Sequence, residues 1–270
     1  MLAGISERYA VLPLMHFEVS VANMFGGGGT ISGAFVPRDI GKPTQVVLLP
    51  QDGSKPTVFT HPSDVYFTHV VNTYENASAV ICDIVTWAEN PFLGDAAVLS
   101  TYFSKKRRDA IMASSLVRWV LHTAGPLAGR LEEQQLSALG RITDFPKINP
   151  RVAAKPYCLY WAVEWRHDDT NYATTAIVRQ DVCRGTRTYW YRPNAYPSEP
   201  TFVPRSGTKS HGQDEAEDAG VLLFTLLDGA SGKSSLVELD ARSMQVLREA
   251  DLNVTIGFTT HGEFYDGLIS

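Results

Sequence analysis

The sequence is poor in the features that announce several large classes of protein. Only three cysteines occur in 270 residues, Cys82, Cys158 and Cys183, far apart and without the close spacing of metal ligands. That excludes a disulfide-dense scaffold and a structural zinc finger. It predicts no disulfide framework and a reducing compartment, the cytoplasm. No apolar run approaches membrane-spanning length; Gly220-Val-Leu-Leu-Phe-Thr-Leu-Leu227 is typical of the longest. No signal-peptide pattern opens the chain, because Glu7 and Arg8 precede the first apolar stretch. Positive charge is not in excess: 24 Lys and Arg face 29 Asp and Glu, a net charge of −5. A phosphate backbone requires a basic face, so nucleic acid is not an expected partner. The one basic run, Lys105-Lys106-Arg107-Arg108, reads as a solvated loop or helix end. Four successive glycines at 26–29 are not followed by Lys-Ser/Thr or a helix pattern, so they form a connector rather than a phosphate cradle.

Helical patterning is scarce too. Residues 94–113 predict one short helix, and 242–250 predict either a helical turn or a strand. What the chain has in quantity is short runs of Val, Ile, Thr and aromatic residues, which suit a pleated, half-buried surface. Strands are expected over residues 9–21, 45–49, 65–74, 79–87, 116–122, 156–166, 172–182, 186–191, 220–227, 234–240 and 253–264. Turn-formers punctuate them, among them Asp52-Gly53, Asn194, Pro197, Gly207, Asp228-Gly229 and Gly232. Even spacing of short strands predicts an all-β barrel or propeller, and no Pro/Ser-rich linker divides it, so residues 1–270 are expected to form one domain.

Two of the seven histidines stand out. His69 lies in Val65-Tyr-Phe-Thr-His-Val-Val-Asn-Thr-Tyr-Glu75, where strict alternation puts Phe67, His69 and Val71 on one face. His261 lies in Ile256-Gly-Phe-Thr-Thr-His-Gly-Glu-Phe264, with Gly262 beside it to allow close backbone approach. A single histidine of this kind is more often a hydrogen-bonded core residue than a metal ligand. Two carboxylates sit in similarly apolar surroundings, Glu199 between Ser198 and Pro200 and Asp144 before Phe145-Pro146. Each suits either a turn or a group that orients a ligand imidazole.

Six segments, in order, resemble the carotenoid cleavage oxygenase family. Phe67-Thr-His-Val-Val-Asn-Thr-Tyr-Glu75 is similar to its Phe-x-His-x-x-Asn-x-Tyr-Glu segment, and Asp144-Phe-Pro-Lys-Ile-Asn149 to its acidic-Phe-Pro-x-Ile-Asn segment. Tyr196-Pro-Ser-Glu-Pro-Thr-Phe-Val-Pro204, Glu217-Asp-Ala-Gly-Val-Leu-Leu223, Ser235-Leu-Val-Glu-Leu-Asp-Ala241 and His261-Gly-Glu-Phe264 match four further segments. The resemblance implies an all-β fold, the C-terminal blades of a seven-bladed β-propeller with short helical insertions. It implies Fe(2+) held by four histidines, O2 as co-substrate, and cleavage of a conjugated C=C bond of a carotenoid or apocarotenoid into two carbonyl products. Carried over residue by residue, His69 and His261 are iron ligands. Glu199 is a partner behind a ligand, and so is Asp144, one methylene shorter than the family's Glu.

One departure accompanies the resemblance. The stretch beginning at Ile5 is similar to the residues after the family's second histidine, so Met1, Leu2 and Ala3 fall where His-Asp-Phe is expected. The expectation is therefore an incomplete propeller whose N-terminal blades lie outside the chain. The alternative is an inactive partial propeller that binds isoprenoids or a protein. Water-insoluble substrates also suggest peripheral contact with a membrane.

Overall fold

The computed structural model describes residues 3–25, 34–87, 90–91, 114–136, 143–165, 174–205 and 216–265. The chain divides into two compact units, Met1–Ile142 and Thr143–Ser270.

In the first unit the strands run β1 (Gly4–Ile5), β2 (Tyr9–Leu14), β3 (Phe17–Val19), β4 (Phe35–Pro37), β5 (Thr44–Pro50), β6 (Thr57–His61), β7 (Tyr66–Glu75), β8 (Ala79–Trp87), β9 (Ser114–His122) and β10 (Leu131–Gln135). A five-residue helix α1 (Val21–Phe25) follows β3. Two four-stranded sheets result, β1-β2-β5-β6 and β10-β9-β8-β7, with the β3–β4 ribbon as an excursion from the first. β8, Ala-Val-Ile-Cys-Asp-Ile-Val-Thr-Trp, is buried at every position, as a central strand covered on both faces must be. β10, Leu-Glu-Glu-Gln-Gln, closes the sheet with charged and amide side chains that discourage further pairing. Val11, Val46, Leu48 and Phe59 of the first sheet share one core with Val80, Ile84, Val117 and Trp119 of the second.

The second unit repeats the plan with β11 (Thr143–Lys147), β12 (Leu159–Glu164), β13 (Ala176–Asp181), β14 (Thr186–Tyr191), β15 (Ala195–Pro197), β16 (Thr201–Pro204), β17 (Gly220–Asp228), β18 (Ser234–Asp240) and β19 (Val246–Asp251). One sheet runs β11-β12-β13-β14 and the other β15-β17-β18-β19, with β16 also on β17. Trp161 and Ile177 pack with Phe202, Leu222, Val237 and Leu239 between them. Each such side chain stabilises by roughly 1.5–3 kcal/mol on full burial. The Trp161 indole N–H donates to the Ala241 carbonyl at 3.0 Å, so the buried donor is satisfied.

The all-β expectation holds, and every sheet is an antiparallel run of consecutive or nearly consecutive strands, the pattern of propeller blades. Two turn signals act as their chemistry requires: Gly53 and Asn194 take positive φ, 80° and 56°. Several expectations need correction. Residues 9–21 are two strands and the start of a helix: the β2–β5 ladder runs through Pro13 to Leu14, β3 takes Phe17–Val19, and Val21 opens α1. Pro197 pairs within β15 instead of turning. Of the two readings of residues 242–250, the strand is the one that holds, as β19 after a short turn. The strand expected over 253–264 does not form. Its backbone groups bond to side chains instead, Ile256 N–H to Ser234 Oγ at 2.8 Å and Thr259 N–H to Ser198 Oγ at 3.0 Å. The expected helix over 94–113, the basic run at 105–108, the glycines at 26–29 and Gly207 lie outside the described residues.

The expectation of no disulfide is overturned. Cys158 and Cys183, 25 residues apart, are bonded, with Cα atoms 5.2 Å apart. The β12–β13 ladder places Leu159 opposite Asp181, so the residues just beyond that ladder end meet. With two of the three cysteines bonded to each other, the cysteines no longer favour a reducing compartment.

Candidate functional site

His69 sits on β7 at an irregularity. The register passes from Phe67↔Thr86 to Val70↔Ile84 and then to Asn72↔Asp83, so β7 carries an extra residue twice within six positions. Two residues, Thr68 and His69, thus stand opposite Val85 alone. The strict alternation of Phe67, His69 and Val71 fails for this reason, and His69 is half-buried where Phe67 and Val71 are buried. Bulges bend a strand and re-aim its side chains, and they concentrate next to sites. Thr68 anchors this one by accepting the Trp87 indole N–H at 2.9 Å.

His261 lies in the second unit, on the irregular segment after β19 rather than at a strand end. Its Nδ1 is 3.3 Å from Glu199 Oε1, and the other oxygen of the same carboxylate accepts the Gly262 N–H at 3.0 Å. Glu199 lies in the segment between β15 and β16 with its side chain 5% exposed, while the His261 side chain is 61% exposed, so a buried carboxylate holds an outward-facing imidazole. Lys147, at the end of β11, donates to the Gly262 carbonyl at 3.1 Å and stands 3.6 Å from Glu199 Oε1. The His261 ring packs 5.7 Å from Phe145, which packs in turn against Phe258 at 5.5 Å and Trp165 at 5.9 Å. A Cβ on Gly262 would meet Thr201 Oγ1 at 3.7 Å, an ordinary contact, so close approach is not what that glycine provides.

Asp144 is buried on β11 one residue before Phe145. The register jumps there from Asp144↔Val163 to Lys147↔Trp161, a bulge over Phe145-Pro146, and Phe145 takes φ 54°. Positive φ in an aromatic residue is strained, and such strain gathers at sites. The structure thus brings Glu199 to His261 and sets Asp144 beside the aromatic group, while His69 belongs to the other unit. Sequence reasoning missed Lys147, Phe145, Trp165 and Phe258. Phe145 and Lys147 lie inside the matched Asp144–Asn149 segment and Phe258 three residues before His261, so a signal existed for these; for Trp165 none did.

Metal chemistry has a suitable donor in His261. A carboxylate on Nδ1 fixes the proton there and makes Nε2 the basic, ligating nitrogen. Among the described residues one group of three potential ligands exists, Cys158, Asp181 and Cys183, away from His261, and its two sulfurs are joined in the disulfide.

Comparison with known proteins places these features. Residues 3–266 match the model of the Retinal pigment epithelial membrane protein family. Carotenoid dioxygenase of Neurospora crassa is 25% identical over 96% of this chain and 46% of its own length. Apocarotenoid-15,15′-oxygenase of Synechocystis is 29% identical over 83% of this chain and 43% of its own. A solved variant of the Synechocystis apocarotenoid oxygenase superposes with a TM-score of 0.78 at 26% identity, covering 96% of this chain and 51% of that one. The cobalt-substituted form of that enzyme gives 0.77 at 25% identity, with 96% and 51% covered. The chain spans about half the length of these relatives. A match running from residue 3 to residue 266, on four blade-like sheets, leaves one conclusion: the chain is a partial β-propeller and belongs to the carotenoid cleavage oxygenase family.

Proposed function

We propose that this chain is part of an Fe(2+)-dependent dioxygenase that cleaves a conjugated C=C bond of a carotenoid or apocarotenoid into two carbonyl products. In this reading residues 1–270 belong to one incomplete propeller domain, and His69 and His261 are two of four histidine ligands. Iron, when bound, supplies the activation of O2. The chain's own residues do the rest. Glu199 holds the proton on His261 Nδ1 and anchors the backbone at Gly262. The bulge on β7 aims His69 out of the regular strand face. Asp144 stands by resemblance behind another ligand. Exposed Val21, Met24, Phe25 and Ile40 suit peripheral contact with a membrane from which so apolar a substrate would be drawn.

The observation that carries the reading is the Glu199–His261 contact. It supports a ligand-and-orienter pairing between residues 62 positions apart, in which a carboxylate only 5% exposed holds an imidazole that is itself 61% exposed. The test is metal content and product analysis on the intact protein. Wild-type protein is expected to hold one iron per chain and to give two carbonyl products from an apocarotenoid under O2. His69→Ala and His261→Ala are each expected to lose the iron. Stoichiometric iron in either variant refutes the ligand assignment. An iron-loaded protein that binds but does not cleave any carotenoid or apocarotenoid favours a binding module instead.

A further inference from the structure

We infer that Lys147 is a positioning residue that clamps the His261 segment through two contacts at once, and this rests on the proposed role of His261 as a metal ligand. Residues 252–265 take no part in a strand ladder. Whatever orients His261 must therefore come from side chains of neighbouring elements. Lys147 provides the one cationic side chain that the described residues bring to this point. Its ammonium donates to the Gly262 carbonyl at 3.1 Å, and it lies 3.6 Å from Glu199 Oε1, the oxygen that faces His261 Nδ1. It also lies 3.6 Å from Glu263 Oε2. A lysine has three donors and a compact charge, so it can serve a carbonyl and a carboxylate together.

The bulge on β11 explains how Lys147 reaches this place. Residues opposite one another in an antiparallel pair point to the same face. Counting regularly from Asp144↔Val163 would set Lys147 opposite Tyr160. The extra residue at Phe145-Pro146 sets it opposite Trp161 instead. Trp161 points into the core shared with the sheet that carries Glu199, where its indole reaches Ala241. A shift of one residue moves a side chain to the other face. The strained φ of Phe145 therefore has a use: it turns Lys147 toward Glu199 and His261. The ammonium steadies the Glu199 carboxylate in place, and that carboxylate faces His261 Nδ1. Lys147 touches no ligand atom of His261; it acts through Glu199 and Gly262.

The test uses the intact protein in metal-free form, with two readouts: hydrogen exchange at the Gly262 amide and the His261 tautomer from its imidazole 15N shifts. Cobalt(II) titration is a third. Lys147→Met keeps the aliphatic stem and is expected to speed Gly262 exchange about tenfold, to mix the two tautomers, and to weaken cobalt binding by roughly ten- to a hundredfold. Lys147→Arg, which keeps the charge and the donors, is expected to restore all three. Wild-type exchange and tautomer in Lys147→Met overturn the proposal. If that variant does not fold, Lys147→Gln decides by the same two values. A wild-type protein that binds no cobalt(II) defeats the metal reading of His261, while the exchange and tautomer data still judge Lys147.

Discussion

Replacing Glu199 by glutamine tests the pair on which the functional reading stands. Shape and volume are nearly unchanged, so the effect isolates the charge. In the native protein the Glu199 carboxylate serves two groups, His261 Nδ1 at 3.3 Å and the Gly262 N–H at 3.0 Å, with the Lys147 ammonium 3.6 Å away. Hydrogen bonds to a charged partner contribute about 1.5–3 kcal/mol, and neutral ones about 0.5–1.5. Each of the two bonds therefore weakens by roughly 1 kcal/mol, and an amide, with one oxygen where the carboxylate has two, serves one of the two donors at most. The loss of about 2 kcal/mol corresponds to a factor of about 30 in an equilibrium constant. That falls within the ten- to hundredfold range found when a group behind a metal ligand is removed. Titrating intact wild-type and Glu199→Gln protein with Fe(II) under anaerobic conditions measures it directly. Unchanged affinity and unchanged cleavage would show that Glu199 only ties down the chain at Gly262.

The disulfide closes 25 residues, which amounts to about 3.5 kcal/mol by loop entropy alone. The Cys158→Ser/Cys183→Ser double variant should lose stability of that order in urea, and an unchanged midpoint would refute the bond. Thiol counting offers an independent check: burial pushes the Cys82 thiol up to about 12, so native protein should show no fast-reacting thiol and unfolded, unreduced protein one. His61 is buried, which lowers its pKa, but its bonds to Glu133 and to the Ser63 carbonyl outweigh that and raise it; the His61 bond in turn lowers Glu133. The His61 contribution is complete below the usual histidine value and is lost as pH rises through the raised one. The Glu133 contribution is complete above the usual carboxylate value and is lost as pH falls through the lowered one. Wild-type stability should therefore fall more steeply from pH 6 to pH 8 than that of Glu133→Gln; parallel curves would sink the coupling. Gly220 begins β17 where an added Cβ would lie 2.6 Å from the Phe202 ring and 2.6 Å from the Val203 carbonyl. Gly220→Ala should cost about 1–3 kcal/mol by overpacking, and a wild-type urea midpoint would contradict the crowding.

The sequence by itself determined the strand content, most strand positions, several of the turns and the family. Local chemistry suffices for these. β-branched and aromatic runs pleat, Asn194 and Gly53 accept positive φ, and ordered segments such as Tyr196–Pro204 persist however the chain is folded. The same chemistry led the reading astray at residues 253–264, where an apolar, Thr-rich run is tied down by the side chains of Ser198, Glu199 and Ser234 instead of joining a ladder. Tertiary structure alone decided the bond between Cys158 and Cys183, because their distance depends on which strand lies beside β12. It also decided where His69 and Lys147 point, because a single inserted residue on β7 or β11 reverses the faces that alternation assigns. The pairing of Glu199 with His261 is of the same kind. A pattern along one chain carries the period of a strand, whereas register and the meeting of distant residues are properties of two chain segments together.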